Sequence, residues 1–243
     1  MGLRAEGFCS DCGDVHFLEE GEAKNHALKL FKQLESSARI DFENSNPDPV
    51  FSTDYLFGEA RGQMFGVLHC EDSLGNEVII KAFSCQYNSQ WELEGWVPPL
   101  LDVDRYHEIV PPADKQIKEL GRLIESTEEK EQQELKEKRK KISQELMKEI
   151  HSLYKVTNFN REERSLLQAF CYDKGIPTGC GDCCAPKLLN FAAQNKLRPL
   201  GISEFYFGRE NKSGTRKHGE FYSSCESKCY PILGFLLCGL NNG

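Results

Sequence analysis

No apolar run in this sequence approaches the roughly 20 residues that a bilayer-spanning helix needs, so no membrane-crossing segment is expected. Positive charge is also in short supply. Lys and Arg total 30 against 38 Asp and Glu, giving a formal net charge of −8 and a sequence pI near 5.4. That balance argues against broad nucleic-acid binding through a basic face, while leaving room for a local basic groove. The opening residues Met1-Gly2-Leu3-Arg4-Ala5-Glu6 lack a signal-peptide pattern, and Glu6 stands where a myristoylation motif wants Ser or Thr. A cytoplasmic address is the expectation. With 39% hydrophobic and 28% charged residues in 243, the chain reads as globular and long enough to bury a substantial core.

Cysteine, by contrast, is plentiful: there are 11. The odd count and the expected reducing compartment argue against a disulfide framework, so clustered Cys point to metal ligation or catalysis. Cys70, Cys85, Cys171 and Cys238 are scattered in apolar surroundings and read as small buried hydrophobes. Cys9-Ser10-Asp11-Cys12-Gly13 has the shape of a zinc knuckle, with His16 or His26 as a third ligand. The main cluster is Gly179-Cys180-Gly181-Asp182-Cys183-Cys184-Ala185-Pro186-Lys187, followed by Cys225 and Cys229.

Apolar spacing predicts a helix over 21–37, and His26, beside its stripe, reads as surface or packing. Met64–Cys70 and Glu77–Phe83 read as a β-hairpin turned by Asp72–Asn76, and the Trp91–Pro99 segment as the cap of a sheet. Val110-Pro111-Pro112 closes this half. Residues 113–156 turn highly charged with a narrow helical stripe, so two helices meeting near the capping-box pair Ser126 and Glu129 are expected. The basic run Lys138–Lys141 has acidic flanks and reads as a solvated face.

Helix is expected again over Arg161–Cys171, then a helix capped by Asp182, a strand Gly201–Phe207 and a buried helix over Ile232–Leu240. Cys183 then lies at a helix N-terminus, where free amides favour a thiolate and its pKa should fall. A lowered pKa suits metal ligation and nucleophilic catalysis alike. The catalytic version uses Cys183 as nucleophile, His218 as base and the Gly179–Asp182 amides, with Asp182, around an oxyanion.

Two resemblances follow from these residues. Thr178 to Leu189, with Arg216-x-His218-Gly219-x-Phe221-Tyr222-x-x-Cys225-x-x-Lys228-Cys229-x-Pro231-Ile232-Leu233, resembles the N-terminal extension of long bacterial pseudouridine synthases of the ribosomal large-subunit type. Gly62–Leu68 and Val97-Pro98-Pro99 resemble it too. The His-Arg-Leu-Asp motif of the catalytic domain is missing from this sequence, so the resemblance implies an association with RNA modification rather than pseudouridine formation. The order helix, hairpin, Cys-headed helix, strand, Cys-headed helix is also similar to the zinc-dependent cytidine-deaminase-like fold. That likeness implies zinc ligation by Cys183, Cys225 and Cys229, with Cys180, Cys184 or His218 as a fourth ligand. The proton-shuttling Glu of those enzymes falls on Ala185, leaving Glu204 or Asp182 to be recruited in its place. Ser224 replaces their usual Pro, and Cys225-x-x-x-Cys229 is one residue longer than their pair.

The expected fold is therefore α+β, or a three-layer α/β arrangement, with a deaminase-like mixed sheet flanked by helices and a long helical insertion. Residues 1–112 and 158–243 would be two halves of one domain, and 113–157 the charged arm. The expected function is a cysteine-rich, zinc-binding domain tied to RNA or nucleotide modification. A Cys183–His218 thiol enzyme and an interaction module using the arm to engage RNA or an RNA-modifying enzyme are the alternatives.

Overall fold

The computed structural model describes residues 2–129 and 131–240. The chain opens with an antiparallel hairpin, β1 (Arg4–Cys9) and β2 (Asp14–Glu19), where the sequence suggested only a knuckle loop. Helix α1 (Ala23–Ser37) follows, burying Ala23, Ala27, Leu30 and Leu34 along one face as its spacing dictates. Strands β3 (Gln63–Glu71) and β4 (Glu77–Phe83) form the expected hairpin. Asp72 holds its turn by accepting from the amides of Leu74 and Asn76 at 2.8 and 2.9 Å. Trp96 caps this sheet, buried against Phe65 and Phe83.

The charged arm starts earlier than its composition suggests. Helix α2 (Val103–Ser126) is capped by Asp102 and contains Pro111 and Pro112, which were expected to end the preceding half. Two prolines remove two amide donors without ending this helix, so the pair reads as a break only by local propensity. The Ser126–Glu129 capping box does not form. Ser126 donates to the Leu123 carbonyl at 3.1 Å and Thr127 terminates α2. Helix α3 (Gln132–Ser152) returns, with none of its residues fully buried. The arm closes at a neck, where Leu101 bridges Tyr154 antiparallel and Asp102 N donates to Leu153 O at 3.3 Å.

Beyond the neck, β5 (Lys155–Thr157) pairs with β6 (Glu163–Ser165), and a single turn, α4 (Leu166–Ala169), replaces the longer helix expected over Arg161–Cys171. Ser165 and Gln168 form a capping box there, so the helix begins at Leu166 rather than Arg161. Helix α5 (Cys184–Gln194), strand β7 (Arg198–Phe207), the short β8 (Phe221–Tyr222) and helix α6 (Tyr230–Leu237) complete the chain.

The fold is α+β. Its central sheet has the order β4-β3-β7-β8. Every described pairing is antiparallel, where a mixed sheet was expected. No helix lies between β7 and β8, and without a crossover β8 can only double back on its neighbour. Alternation along the strands sorts two faces. Phe65, Val67, Phe83, Phe205 and Phe207 pack with α1 on one side. Leu68, Cys70, Ala82 and Ile202 pack with Leu188 and Ala192 of α5 on the other. The sheet thus sits between helices in three layers, and the second face carries the cysteines.

Candidate metal centre

The N-terminus of α5 lies against the sheet because β3 has a glycine there. A Cβ on Gly66 would stand 2.6 Å from Cys184 Cβ, so only glycine lets the helix end come this close. Cys183, not Asp182, is the N-cap residue, with extended backbone at φ −72° and ψ 165°. The following loop and the head of α6 bring in Cys225 and Cys229, a short turn closed by Cys229 N donating to Cys225 O at 3.2 Å. The sulfurs of Cys183, Cys225 and Cys229 all lie within 4.8 Å of one another. Zn–S bonds of about 2.3 Å put the edge of a tetrahedron near 3.8 Å, so this spacing fits zinc.

The local electrostatics agree with a cation site. Cys225 is pushed well below the ordinary thiol range by the neighbouring thiols of Cys183 and Cys229, against the effect of burial, and Lys228 N donates to its sulfur at 3.3 Å. Cys183 and Cys229 are correspondingly pushed up, first by their bonds within the triad and then by burial. The drop expected at Cys183 from the helix end does not appear there; the lowered thiol of the triad is Cys225.

The other cysteines of the cluster are engaged elsewhere. Cys184 points into the sheet and donates to the carbonyls of Met64 and Ala82 at 3.3 and 3.6 Å. Cys180 donates to Lys228 O at 3.0 Å, and burial raises its thiol to about 12. Neither joins the triad. His218 is on the opposite face of the sheet, its ring 4.8 Å from that of Phe207 and 5.1 Å from that of Phe31, while its Nδ1 accepts from Gly208 N at 3.0 Å. It reaches neither Cys183 as a base nor the triad as a ligand. Asp182 is buried, accepting from the Tyr154 hydroxyl at 2.6 Å, and its carboxyl is raised chiefly by that burial. The Cys183–His218–Asp182 thiol-enzyme arrangement is not assembled.

A buried carboxylate from β7 meets the first turn of α5. Glu204 is 7% exposed and accepts from the amide of Ala185 at 2.6 Å. Burial pushes its carboxyl up to about 7, against the pull of that amide. In the sequence Glu204 stands with Asp182 as a carboxylate to be recruited at the Ala185 position; the structure bonds Glu204 to the Ala185 amide and Asp182 to the Tyr154 hydroxyl. The surface beside Cys225 opens into a recess of about 400 Å³ lined by Arg216, Tyr222, Ser223 and Ser224. The Arg216 guanidinium lies 4.3 Å from the centre of the Tyr222 ring.

No family model, curated protein or solved structure matches this chain. Among the described residues no helix is long and apolar enough to cross a membrane. Cys9 and Cys12 do come together with His16, while His26 pairs instead with His69 around Glu77 at the surface. Of the cysteines read as packing, Cys70 is fully buried, but Cys85 is exposed and Cys171 partly so. Cys238 joins Cys9 and Cys12.

Proposed function

We propose that this chain is a zinc-binding, deaminase-like domain working in RNA or nucleotide modification. The observation that carries the proposal is the convergence of Cys183, Cys225 and Cys229 at the head of α5, where the buried Glu204 accepts from the amide of Ala185, two residues after Cys183. In the deaminase pattern the proton-shuttling Glu would stand at Ala185. Here a carboxylate reaches that position from the neighbouring strand instead. The succession α1, β3–β4, Cys-headed α5, β7 and, after the short β8, Cys-headed α6, with β4-β3-β7 adjacent in the sheet β4-β3-β7-β8, supports the same reading.

Three thiolates leave the fourth position of a tetrahedral zinc open, and a metal in such a site supplies Lewis acidity to an oxygen placed there. The chain's own residues would do the rest. Cys183, Cys225 and Cys229 fix the ion at the end of α5, and Glu204 holds and delivers a proton from a dry position beside it. Arg216 and Tyr222 offer flat faces for stacking a base at the recess next to Cys225.

The test has two parts. Zinc measured by elemental analysis should fall by one equivalent in Cys183→Ser, Cys225→Ser and Cys229→Ser; unchanged content overturns the site. Ammonia release from cytidine in single-stranded RNA should be lost in Glu204→Gln while its zinc is retained. A wild-type chain that holds zinc but releases no ammonia would limit the domain to binding.

A second reading rests on the arm. Its helix α3 buries no residue fully, and Lys138–Lys141 are exposed on it. A helix that leaves so much of its surface exposed suits contact with RNA or an RNA-modifying enzyme, and excising the arm should then abolish that contact.

A further inference from the structure

The hairpin β1–β2 carries a group of ligands that the proposed function leaves unused. Cys9 ends β1, Cys12 lies in the turn, His16 is on β2, and Cys238 caps the C-terminal end of α6. One ligand atom from each lies within 4.8 Å of all the others. The turn is built for this. Gly13 takes a left-handed φ of 69° and donates to Cys9 O at 2.9 Å, which folds the Cys9–Cys12 segment back on itself. His16 is paired across from Gly7, so strand alternation sends it to the same inner face as Cys9.

Helix α6 supplies the fourth group by an unusually close approach. Gly7 and Gly234 face each other where the helix crosses β1; a Cβ on Gly234 would collide with the Phe8 carbonyl and the Cys9 amide. The crossing carries the helix end over the turn, and Cys12 Sγ and Cys238 Sγ stand 3.4 Å apart. Both are free thiols, and that separation is far from the roughly 2.05 Å of a disulfide.

A separate observation points to a missing partner. His16 Nε2 is buried and has no hydrogen-bond partner. Buried polar atoms are nearly always satisfied, and an orphan calls for a ligand that is not part of the chain. Asn160 Nδ2 approaches Cys238 Sγ at 3.5 Å, the type of outer contact that orients a metal thiolate.

We propose that Cys9, Cys12, His16 and Cys238 hold a structural zinc ion that fastens the N-terminal hairpin to the end of α6. Three thiols give up their protons to solvent as the ion binds, and the neutral imidazole gives its lone pair. Four protein ligands close the tetrahedron and leave no position for substrate, unlike the three-thiol centre at α5. The site does not depend on the deaminase-like reading.

The experiment measures zinc in the purified full chain and in its variants, with X-ray absorption on Cys229→Ser, which isolates this site. His16→Ala and Cys238→Ser should each lose one equivalent, and the absorption should fit three sulfurs near 2.3 Å and one nitrogen near 2.0 Å. His16→Cys should fold and keep the metal, and Co²⁺ in its place should show stronger thiolate charge-transfer absorption than in the wild type. If the triad at α5 is empty of metal, these losses still occur from a wild type holding one equivalent. Unchanged zinc in both His16→Ala and Cys238→Ser overturns the proposal, as does a Cys12–Cys238 disulfide in the freshly purified protein.

Discussion

Replacing Gly234 by alanine sets two effects of opposite sign against each other. Within a helix, Gly→Ala gains about 1 kcal/mol of propensity. At Gly234, however, the new methyl would enter the backbone of Phe8 and Cys9, and those atoms belong to a paired strand that cannot swing aside. Overpacking typically costs about 1–3 kcal/mol, and obstruction by backbone belongs at the upper end. The net loss should be about 2 kcal/mol, which for a chain of this size lowers Tm by about 4–8 °C. The same displacement lifts Cys238 from Cys12, so zinc content at the hairpin site should fall with it. Calorimetry with zinc analysis on the same samples reads both effects. Gly121→Ala is the control. It lies inside α2, where a new Cβ meets nothing nearer than Arg139 Nη1 at 3.7 Å, so propensity alone should act and Tm should rise. If Gly234→Ala melts at or above the wild type, the close crossing of α6 on β1 is refuted.

Three further expectations concern buried polar groups and the arm. In zinc-free protein, Glu204 is pushed up to about 7 by burial, against about 4.3 unfolded. The folded state then holds a proton that the unfolded state has lost, so stability should fall as pH rises from about 4.3 through 7, by on the order of 3 kcal/mol. Urea melts of Glu204→Gln should lack that slope; a wild-type slope in the variant would exclude Glu204 as its source. Tyr154→Phe removes the donor to the buried Asp182 carboxylate and should cost about 1–3 kcal/mol at neutral pH. The cost should shrink in acid, where a protonated Asp182 needs the donor less, and an equal cost at both pH values would contradict the bond. Excising residues 109–147 with a short Gly-Ser linker should leave the rest folded, because the neck at Leu101 and Tyr154 already holds the two ends together. Loss of cooperative unfolding in the excised chain would show that the arm supports the core.

What could be read from the sequence was local. The β3–β4 hairpin and α1 follow from alternation, turn residues and helical spacing within short windows, and no distant contact opposes them. Spacing also singles out the cluster of Cys180, Cys183, Cys184, Cys225 and Cys229, from which the deaminase-like resemblance picks Cys183, Cys225 and Cys229. The errors came where neighbours in sequence part company in space. Cys183 and Cys184 are adjacent, but at the start of α5 their side chains diverge, one toward the triad and one into the sheet. His218 follows β7 closely enough to suggest a base, but the chain returns on the face opposite to Cys183, which no local pattern records. Cys238 read as packing because its partner Cys12 is 226 positions away. Pro111 and Pro112 misled in the other direction, since tertiary context keeps α2 helical through them.

The glycine crossing of α6 on β1 also imposes an order on biosynthesis. The hairpin at 4–19 leaves the ribosome long before the helix at 230–237, and until then its inner face, with Ala5, Cys9 and Leu18, has nothing to cover it. The thiols of Cys9 and Cys12 stay unsheltered through the same interval. The nascent hairpin must therefore avoid oxidation and misassociation while it waits, and maturation of this part of the protein is timed by the synthesis of α6.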